Sequence, residues 1–401
     1  MMPIIYQESG LQCKEVSVAE NMTVNRIISF NQDRALICSN DRNKLNSFLE
    51  SWMENHLGDA PVVYFHQSND IMSVLFRQLL PQSLLIGNSM VADYDPLKEI
   101  PLPFFFNELV ARSQALNGKI SVPYLKGIAS LLLLDHYEPT LYRLNCYVNK
   151  HLGRVLENHS EDMDDDTYAM LNRYMQKNDS LVESTLDYLD MLCDACGTQL
   201  NRGSMRQGKS IYSALKSGMG VAINIAELSN PIAADMIFAQ LALSQKQGLH
   251  FHVLLDMDII PDILVRYLSE ISTAQIKLLV CPNIWTIAHK DSVAFAENFL
   301  SSRNQTIFFP NNNMQLCKNL SSFLDTYWRE SRTYTEGTQR GRNRRALSIL
   351  PMYANGKHTN IAVAYMRETV LSANELRSLP QGAAIMLVDS IPSIIACQIS
   401  G

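Results

Sequence analysis

The chain has 401 residues, 47% apolar and 18% charged, and its 34 Lys plus Arg against 40 Asp plus Glu give a net charge of −6 with histidine neutral. At ~150 residues per domain this length predicts two or three domains with a large core, and the composition excludes disordered, collagen-like and low-complexity classes. The mild acidity argues against a chain-wide nucleic-acid coat but leaves room for a local basic patch.

The longest strongly apolar run, Ile128 to Leu134, is far below the ~18 residues of a membrane-spanning helix. Met1-Met2-Pro3 opens no signal-peptide pattern, so a cytoplasmic protein is expected. The 8 cysteines are mostly scattered through apolar segments, which suits a reducing compartment better than a disulfide framework.

In chain order, Ala35-Leu36-Ile37-Cys38 reads as a short strand, followed by a polar loop from Ser39 to Asn43. Leu45, Phe48, Leu49 and Trp52 then recur at helical spacing until Gly58 supplies a stop. Pro61-Val62-Val63-Tyr64-Phe65 is the next strand. Two strands joined by such a crossover form a βαβ unit, which predicts a parallel sheet buried on both faces. From about Phe105 to Leu200 strand signals nearly vanish. Leu141, Leu144, Val148, Leu152 and Val155 form one amphipathic stripe; Val182, Leu186, Leu189 and Cys193 form another behind the capping box Ser180-x-x-Glu183. This stretch predicts an all-helical domain inserted into an α/β chain.

Strand–helix alternation resumes at Val221-Ala222-Ile223-Asn224-Ile225, followed by a helix capped by Asn230, opened by Pro231 and stopped by Gly248. Apolar runs at His250 to Leu255, Ile276 to Cys281, Thr306 to Phe309 and Ile361 to Met366 predict further strands, with helices starting near Pro261, Ala288 and Asn312. A last strand, Ala383 to Val388, follows a short helix capped by Ser372-x-x-Glu375. The fold class is α/β: a doubly wound, mostly parallel sheet of roughly seven or more strands with an inserted all-helical domain, its ligands expected beyond the carboxyl ends of the strands.

A phosphate-binding loop needs glycines that let backbone N–H groups turn inward, a Lys for the terminal phosphates and a Ser or Thr for Mg²⁺. Gly203-Ser204-Met205-Arg206-Gln207-Gly208-Lys209-Ser210 matches every fixed position, but helix and polar loop, not a strand, precede it. Its plain reading is a basic interdomain loop; its functional reading is an alternative phosphate loop of Gly203, Gly208, Lys209 and Ser210. Cys38-Ser39-Asn40-Asp41-Arg42-Asn43-Lys44-Leu45 has the right context without the chemistry. Cys38 and Asn43 replace the glycines, Leu45 replaces the magnesium hydroxyl, and Lys44 alone survives. The strand after His250 ends in Asp256, where a Walker B carboxylate would hold Mg²⁺, but Met257 stands where a Glu would activate water. Asp258 comes one residue late for that role.

This order of parts, with the closing segment Arg367 to Gly382, resembles the cytoplasmic portion of the type IV secretion and conjugation coupling proteins, the TraG/TraD-type relatives of the FtsK and HerA DNA motors. Glu375, Leu376, Leu379 and Gly382 match the family's closing Glu-Leu helix and Leu-x-x-Gly turn. The resemblance covers most of the chain from about Arg34. It implies a RecA-like core split into 1–104 and 205–401 around an inserted all-α domain at 105–204. The family would also place a Gln after the strand that follows Walker B; here Pro282-Asn283 stands there. With these residues gone, the resemblance implies a degenerate pocket of Cys38, Asn43, Lys44, Leu45, Asp256 and Met257, and a pseudo-ATPase that acts by binding.

No cofactor is expected on this reading. The alternative is a working ATPase, a DNA or protein translocation motor, that binds ATP and Mg²⁺ through Gly203 to Ser210 and Asp256. The implied partners are proteins of a transfer or secretion apparatus, met through the helical insertion; DNA is a further candidate, and a membrane is reached only indirectly. Monomer, dimer and the family's hexamer all stay open.

Other features carry plain readings beside sharper ones. Arg340, Arg342, Arg344 and Arg345 sit with Gly337 and Gly341 in a segment without apolar periodicity, read as a solvated loop or as phosphate contacts to nucleic acid. The acidic run Glu161, Asp162, Asp164, Asp165 and Asp166 reads as helix-start charge or as a seat for a basic partner. Cys193-x-x-Cys196 lacks the second pair of a zinc site. His66, His250 and His252 read as separate, satisfied histidines.

Overall fold

The computed structural model describes residues 4–5, 11–15, 26–27, 34–57, 60–67, 69–87, 94–112, 120–136, 138–141, 143–144, 152–175, 179–195, 208–228, 230–271, 275–288, 292–301, 305–310, 313–324, 326–343, 352–369, 371–379, 383–388 and 391–399. It divides into two compact units, 1–309 with 382–401, and 310–381.

The first unit begins with the short strands Ile4–Ile5 (β1), Leu11–Glu15 (β2) and Arg26–Ile27 (β3). Alternation follows: Ala35–Cys38 (β4), Arg42–His56 (α1), Val62–His66 (β5), Asp70–Leu79 (α2) and Leu84–Ile86 (β6). Helices alone come next among the described residues, namely Leu102–Arg112 (α3), Val122–Leu134 (α4), Leu152–Asn158 (α5), Asp165–Met175 (α6) and Asp179–Asp194 (α7). Ile211–Lys216 (α8), Val221–Asn224 (β7), Pro231–Lys246 (α9), His252–Asp256 (β8), Asp262–Glu270 (α10), Ile276–Cys281 (β9), Ser292–Ser301 (α11) and Gln305–Phe308 (β10) restore the alternation. The second unit holds Met314–Phe323 (α12), Thr326–Asn343 (β11), Met352–Thr369 (β12) and Ala373–Arg377 (α13). Ala383–Val388 (β13) and Ile391–Ile399 (β14) belong to the first unit again.

One sheet runs through the first unit in the order β3-β1-β2-β14-β13-β10-β4-β9-β8-β5-β7-β6. From β10 to β6 every neighbouring pair is parallel, whereas β13, β14 and β2 extend it antiparallel. Counting β4, β5, β8, β9 and β10 as first to fifth, the order across the sheet is 5-1-4-3-2. The fold is thus α/β and RecA-like. Strands β4, β5, β6, β7 and β10 are buried at every residue, and β4 to β7 accordingly read as largely apolar runs without alternation. On one face Leu45, Phe48, Leu49 and Trp52 of α1 pack into a core with Ile37, Tyr64, Leu278 and Ile307. Elsewhere Phe65 packs with Phe238 of α9 and Tyr267 of α10.

Several boundaries differ from the sequence reading. Helix α7 starts at Asp179, so Ser180 lies inside it and is no cap. Helix α11 starts at Ser292 rather than near Ala288, because Ala288 pairs as an isolated parallel bridge with Ile260. Leu141 and Leu144 are buried, while Val148 lies outside the described residues. The run Ile361 to Met366 joins no large sheet: it lies in β12, which pairs with β11 in a two-stranded antiparallel ribbon from Thr326↔Thr369 to Asn343↔Met352. Local antiparallel pairing needs no crossover helix, so this run had no place in the parallel set. The capping box of Ser372 and Glu375 forms as expected, with Leu376 buried behind it. Among the described residues no helix is long and apolar enough to cross a membrane.

Candidate functional site

Parallel register aligns the carboxyl ends of four adjacent strands, placing Cys38 beside Cys281, Asp256 beside Val280, and His66 beside Asp256. This edge is where a doubly wound sheet receives ligands. The loop after β4 is the one that would cradle phosphate, and its own side chains already hold its amides. Ser39 Oγ accepts from Asp41 N at 3.1 Å, and Asp41, the N-cap of α1, accepts from Asn43 N at 3.1 Å. A helix N-terminus attracts anions through free N–H groups; here a carboxylate of the chain stands at that end.

The other loop positions are equally committed. Cys38 is buried, its Sγ 3.6 Å from that of Cys281, and burial first, then contact with Cys38, pushes the Cys281 thiol well up. Lys44 Nζ lies over the Phe309 ring, 4.9 Å from its centroid, and 4.0 Å from Asp41 Oδ2. Leu45 belongs to the core. Asn43, the other glycine substitute, stands in the first turn of α1.

Asp256 is wholly buried at the end of β8. Its Oδ2 accepts from Arg42 Nη2 at 2.5 Å, Asn69 Nδ2 at 2.7 Å and Tyr64 Oη at 2.9 Å, while Oδ1 has no hydrogen-bond partner among the described residues. The guanidinium also faces Asp258, with Nη1 3.9 Å from Oδ1. Burial, followed by the Asp256 charge, pushes the Tyr64 hydroxyl well above its ordinary value. Burial and then Arg42 push His66 down to about 4. His66 is therefore neutral near pH 7; Nδ1 accepts from Asn69 N at 3.2 Å and the ring stacks on Tyr64 at 5.1 Å. Met257 is buried and its N–H bonds to Val280 O at 3.1 Å.

These residues do not fit a magnesium nucleotide. Oδ2 of Asp256 is taken by a fixed cation and two neutral donors, and Leu45 offers no oxygen. Asp41, Asp256 and Asp258 outnumber Arg42 and Lys44, which is a poor reception for a triphosphate. Sequence reading missed Arg42, Asn69 and Tyr64; the signal available was that a carboxylate at the end of a buried strand requires a paired cation or hydrogen-bond donors.

In the second loop, Gly203 lies outside the described residues. A Cβ on Gly208 would come within 2.6 Å of Asp95 N, so glycine serves close packing there. Lys209 forms a parallel bridge with Tyr94, and its Nζ lies 3.4 Å from Met219 Sδ. Ser210 is buried and caps α8, accepting from Ser213 N at 3.0 Å, while Ile211 N donates to Gln240 Oε1 at 2.8 Å. Strand β7 follows this short helix.

Arg340 and Arg342 lie in β11, opposite Asn355 and Tyr353, in a strand where a loop was expected; Tyr327, Trp328, Thr333, Tyr334 and Thr335 supply β-formers along it. Arg344 and Arg345 lie outside the described residues, as does Cys196. Cys193 is buried. Asn283 caps its own turn, accepting from Trp285 N at 3.1 Å. His66 and His252 fall at opposite ends of the β5–β8 pair. In the acidic run, Asp164 accepts from Thr167 N and Oγ1 at 2.7 and 2.8 Å, bonds that hold its carboxyl below the usual range. Among the described residues no group of His, Cys, Asp or Glu is arranged to hold a metal ion.

No family model matches the chain, and no curated protein does. The chain is similar to the solved structure of a bacterial conjugative coupling protein, TrwBdeltaN70, in an unbound form, at 13% identity over 90% of this chain and 83% of that one, with a TM-score of 0.45. It is similar to the plasmid coupling protein TrwB in complex with ADP and Mg²⁺, at 13% identity over 92% and 85%, with a TM-score of 0.43. VirB4 of Thermoanaerobacter pseudethanolicus is similar at 8% identity over 91% and 89%, with a TM-score of 0.37.

Proposed function

We propose that this chain is a catalytically degenerate member of the coupling-protein type, a pseudo-ATPase that serves as an adaptor or accessory subunit in conjugative DNA transfer or type IV secretion. The observation that carries the reading is the Arg42–Asp256 pair: a guanidinium from the former phosphate loop lies 2.5 Å from the carboxylate that would hold a metal ion. The self-capped loop of Ser39 and Asp41 and the buried Leu45 support it. The strand order, the helical stretch between β6 and β7, and the closing Glu-Leu helix support the family part. The helical insertion, 105–204, meets protein partners of the apparatus, and Arg340, Arg342, Arg344 and Arg345 are the residues to examine for DNA contact.

The test is a titration with fluorescent ATP and Mg²⁺, run with a phosphate-release assay on the wild type, Lys44→Ala and Lys209→Ala. The expected outcome is neither saturable binding nor release in all three. Binding abolished by Lys209→Ala alone establishes the rival motor reading through Gly208, Lys209 and Ser210. Binding abolished by Lys44→Ala alone places a functional nucleotide in the crevice and overturns the degenerate reading.

A further inference from the structure

The helical stretch departs from and returns to the sheet through two segments, Tyr94 to Lys98 and Gly208 to Ile211, which lie side by side. Tyr94 and Lys209 form a parallel bridge, and Asp95 N donates to Lys209 O at 2.9 Å. Gln240, buried in α9, holds both: its Oε1 accepts from Ile211 N at 2.8 Å and its Nε2 donates to Tyr94 Oη at 2.7 Å. Gly208 permits the approach. Asp95 stands at the centre, fully buried, with Oδ1 accepting from Leu97 N and from Leu141 N, both at 3.1 Å. It thereby ties the outgoing segment to a residue deep in the helical stretch. Its Oδ2 is buried without a hydrogen-bond partner among the described residues.

We infer that this neck is a proton-operated clasp centred on Asp95, closed when the carboxyl is protonated and loosened when it is ionised. A buried carboxylate with one oxygen unsolvated and unpaired is costly as an anion and cheap as an acid. Burial accordingly raises Asp95 to about 6, against the opposing pull of the Leu141 and Leu97 amides. The charged groups facing it act in opposite directions: Lys98, which lowers it, and Glu138, which raises it, are themselves 3.8 Å apart. Lys209 turns its Nζ to Met219. On this reading the Walker-like match at Gly208, Lys209 and Ser210 is the returning half of the clasp, and the degree to which the helical block is held against the sheet follows pH. The inference does not depend on the state of the crevice at Asp256.

Hydrogen exchange by mass spectrometry tests it on the full chain, reading peptides that carry Leu97, Leu141 and Ile211, with rates divided by intrinsic rates and β8 as a control. Opening of the neck should increase about tenfold between pH 5 and pH 7, the change expected for a group near 6 closed and near 4 open. Asp95→Asn, which keeps the acceptor and removes the charge, should be flat over that range. Gln240→Ala should raise opening equally at both pH values. A wild-type neck whose opening is unchanged from pH 5 to 7, or an Asp95→Asn variant that keeps the rise, overturns the inference. If Asp95→Asn does not fold, the wild-type profile against the β8 control decides.

Discussion

Replacing Arg42 with alanine removes the only full positive charge in contact with a wholly buried carboxylate among the described residues, and the cost can be worked from the geometry. Unit charges about 4 Å apart attract by about 4 kcal/mol at an effective dielectric constant near 20. The Arg42 side chain is 37% exposed, so solvent screening reduces this to about 2 kcal/mol. Asn69 and Tyr64 continue to donate to Oδ2, which keeps the loss below the ~3–5 kcal/mol of a fully abandoned buried ion. Asp256→Asn removes the charge and leaves an acceptor, so Arg42→Ala in that background should cost under about 0.5 kcal/mol. The assay is a double-mutant cycle by urea unfolding at pH 7.5, with an expected coupling of about 1.5 kcal/mol. Additivity within about 0.5 kcal/mol would refute the reasoning, because Arg42 would then be a surface residue and not the cation of this site.

Leu45→Ser places a hydroxyl where a phosphate-loop pattern would carry one; it should cost about 2–4 kcal/mol in thermal or urea melts and yield no saturable Mg-ATP binding while Arg42 remains. Gly208→Ala forces a Cβ to 2.6 Å from Asp95 N and should lower stability by about 1–3 kcal/mol, read by urea unfolding; a neutral result removes close packing as the reason for that glycine. His66, depressed to about 4, binds fewer protons folded than unfolded between pH 4 and 6.5, so its contribution to stability rises with pH through that window. Relative to His66→Gln, the wild type should lose about 3 kcal/mol between pH 7 and pH 4; parallel profiles for the two proteins refute the assignment.

Much of the architecture was legible because burial on both faces leaves a plain trace. The runs 35–38, 62–65, 221–223 and 278–281 are apolar throughout, with no competing period. Two local caps were equally readable, unlike the one expected at Ser180: Asn230 accepts from Ile232 N with Pro231 behind it, and Ser372 closes its box with Glu375, bonds made within a few residues. Of the ribbon only Ile361 to Met366 in β12 was legible as a strand; the Arg340 and Arg342 segment of β11 read as a loop, because it carries no apolar periodicity and its partner strand lies elsewhere in the chain.

The sequence alone determined the alternation of strand and helix, the absence of glycine at Cys38 and Asn43 and of a hydroxyl at Leu45, and the placement of Asp256 at a strand end, because each depends on neighbours a few residues apart. Tertiary structure alone decided what those residues do. Arg42 reaches Asp256 across 214 positions of chain, Gln240 joins Tyr94 to Ile211, and Asp95 N donates to Lys209 O beside Gly208. Hydrogen bonds and charge pairs act over ~3 Å of space, and only the folded sheet brings such distant positions within that range.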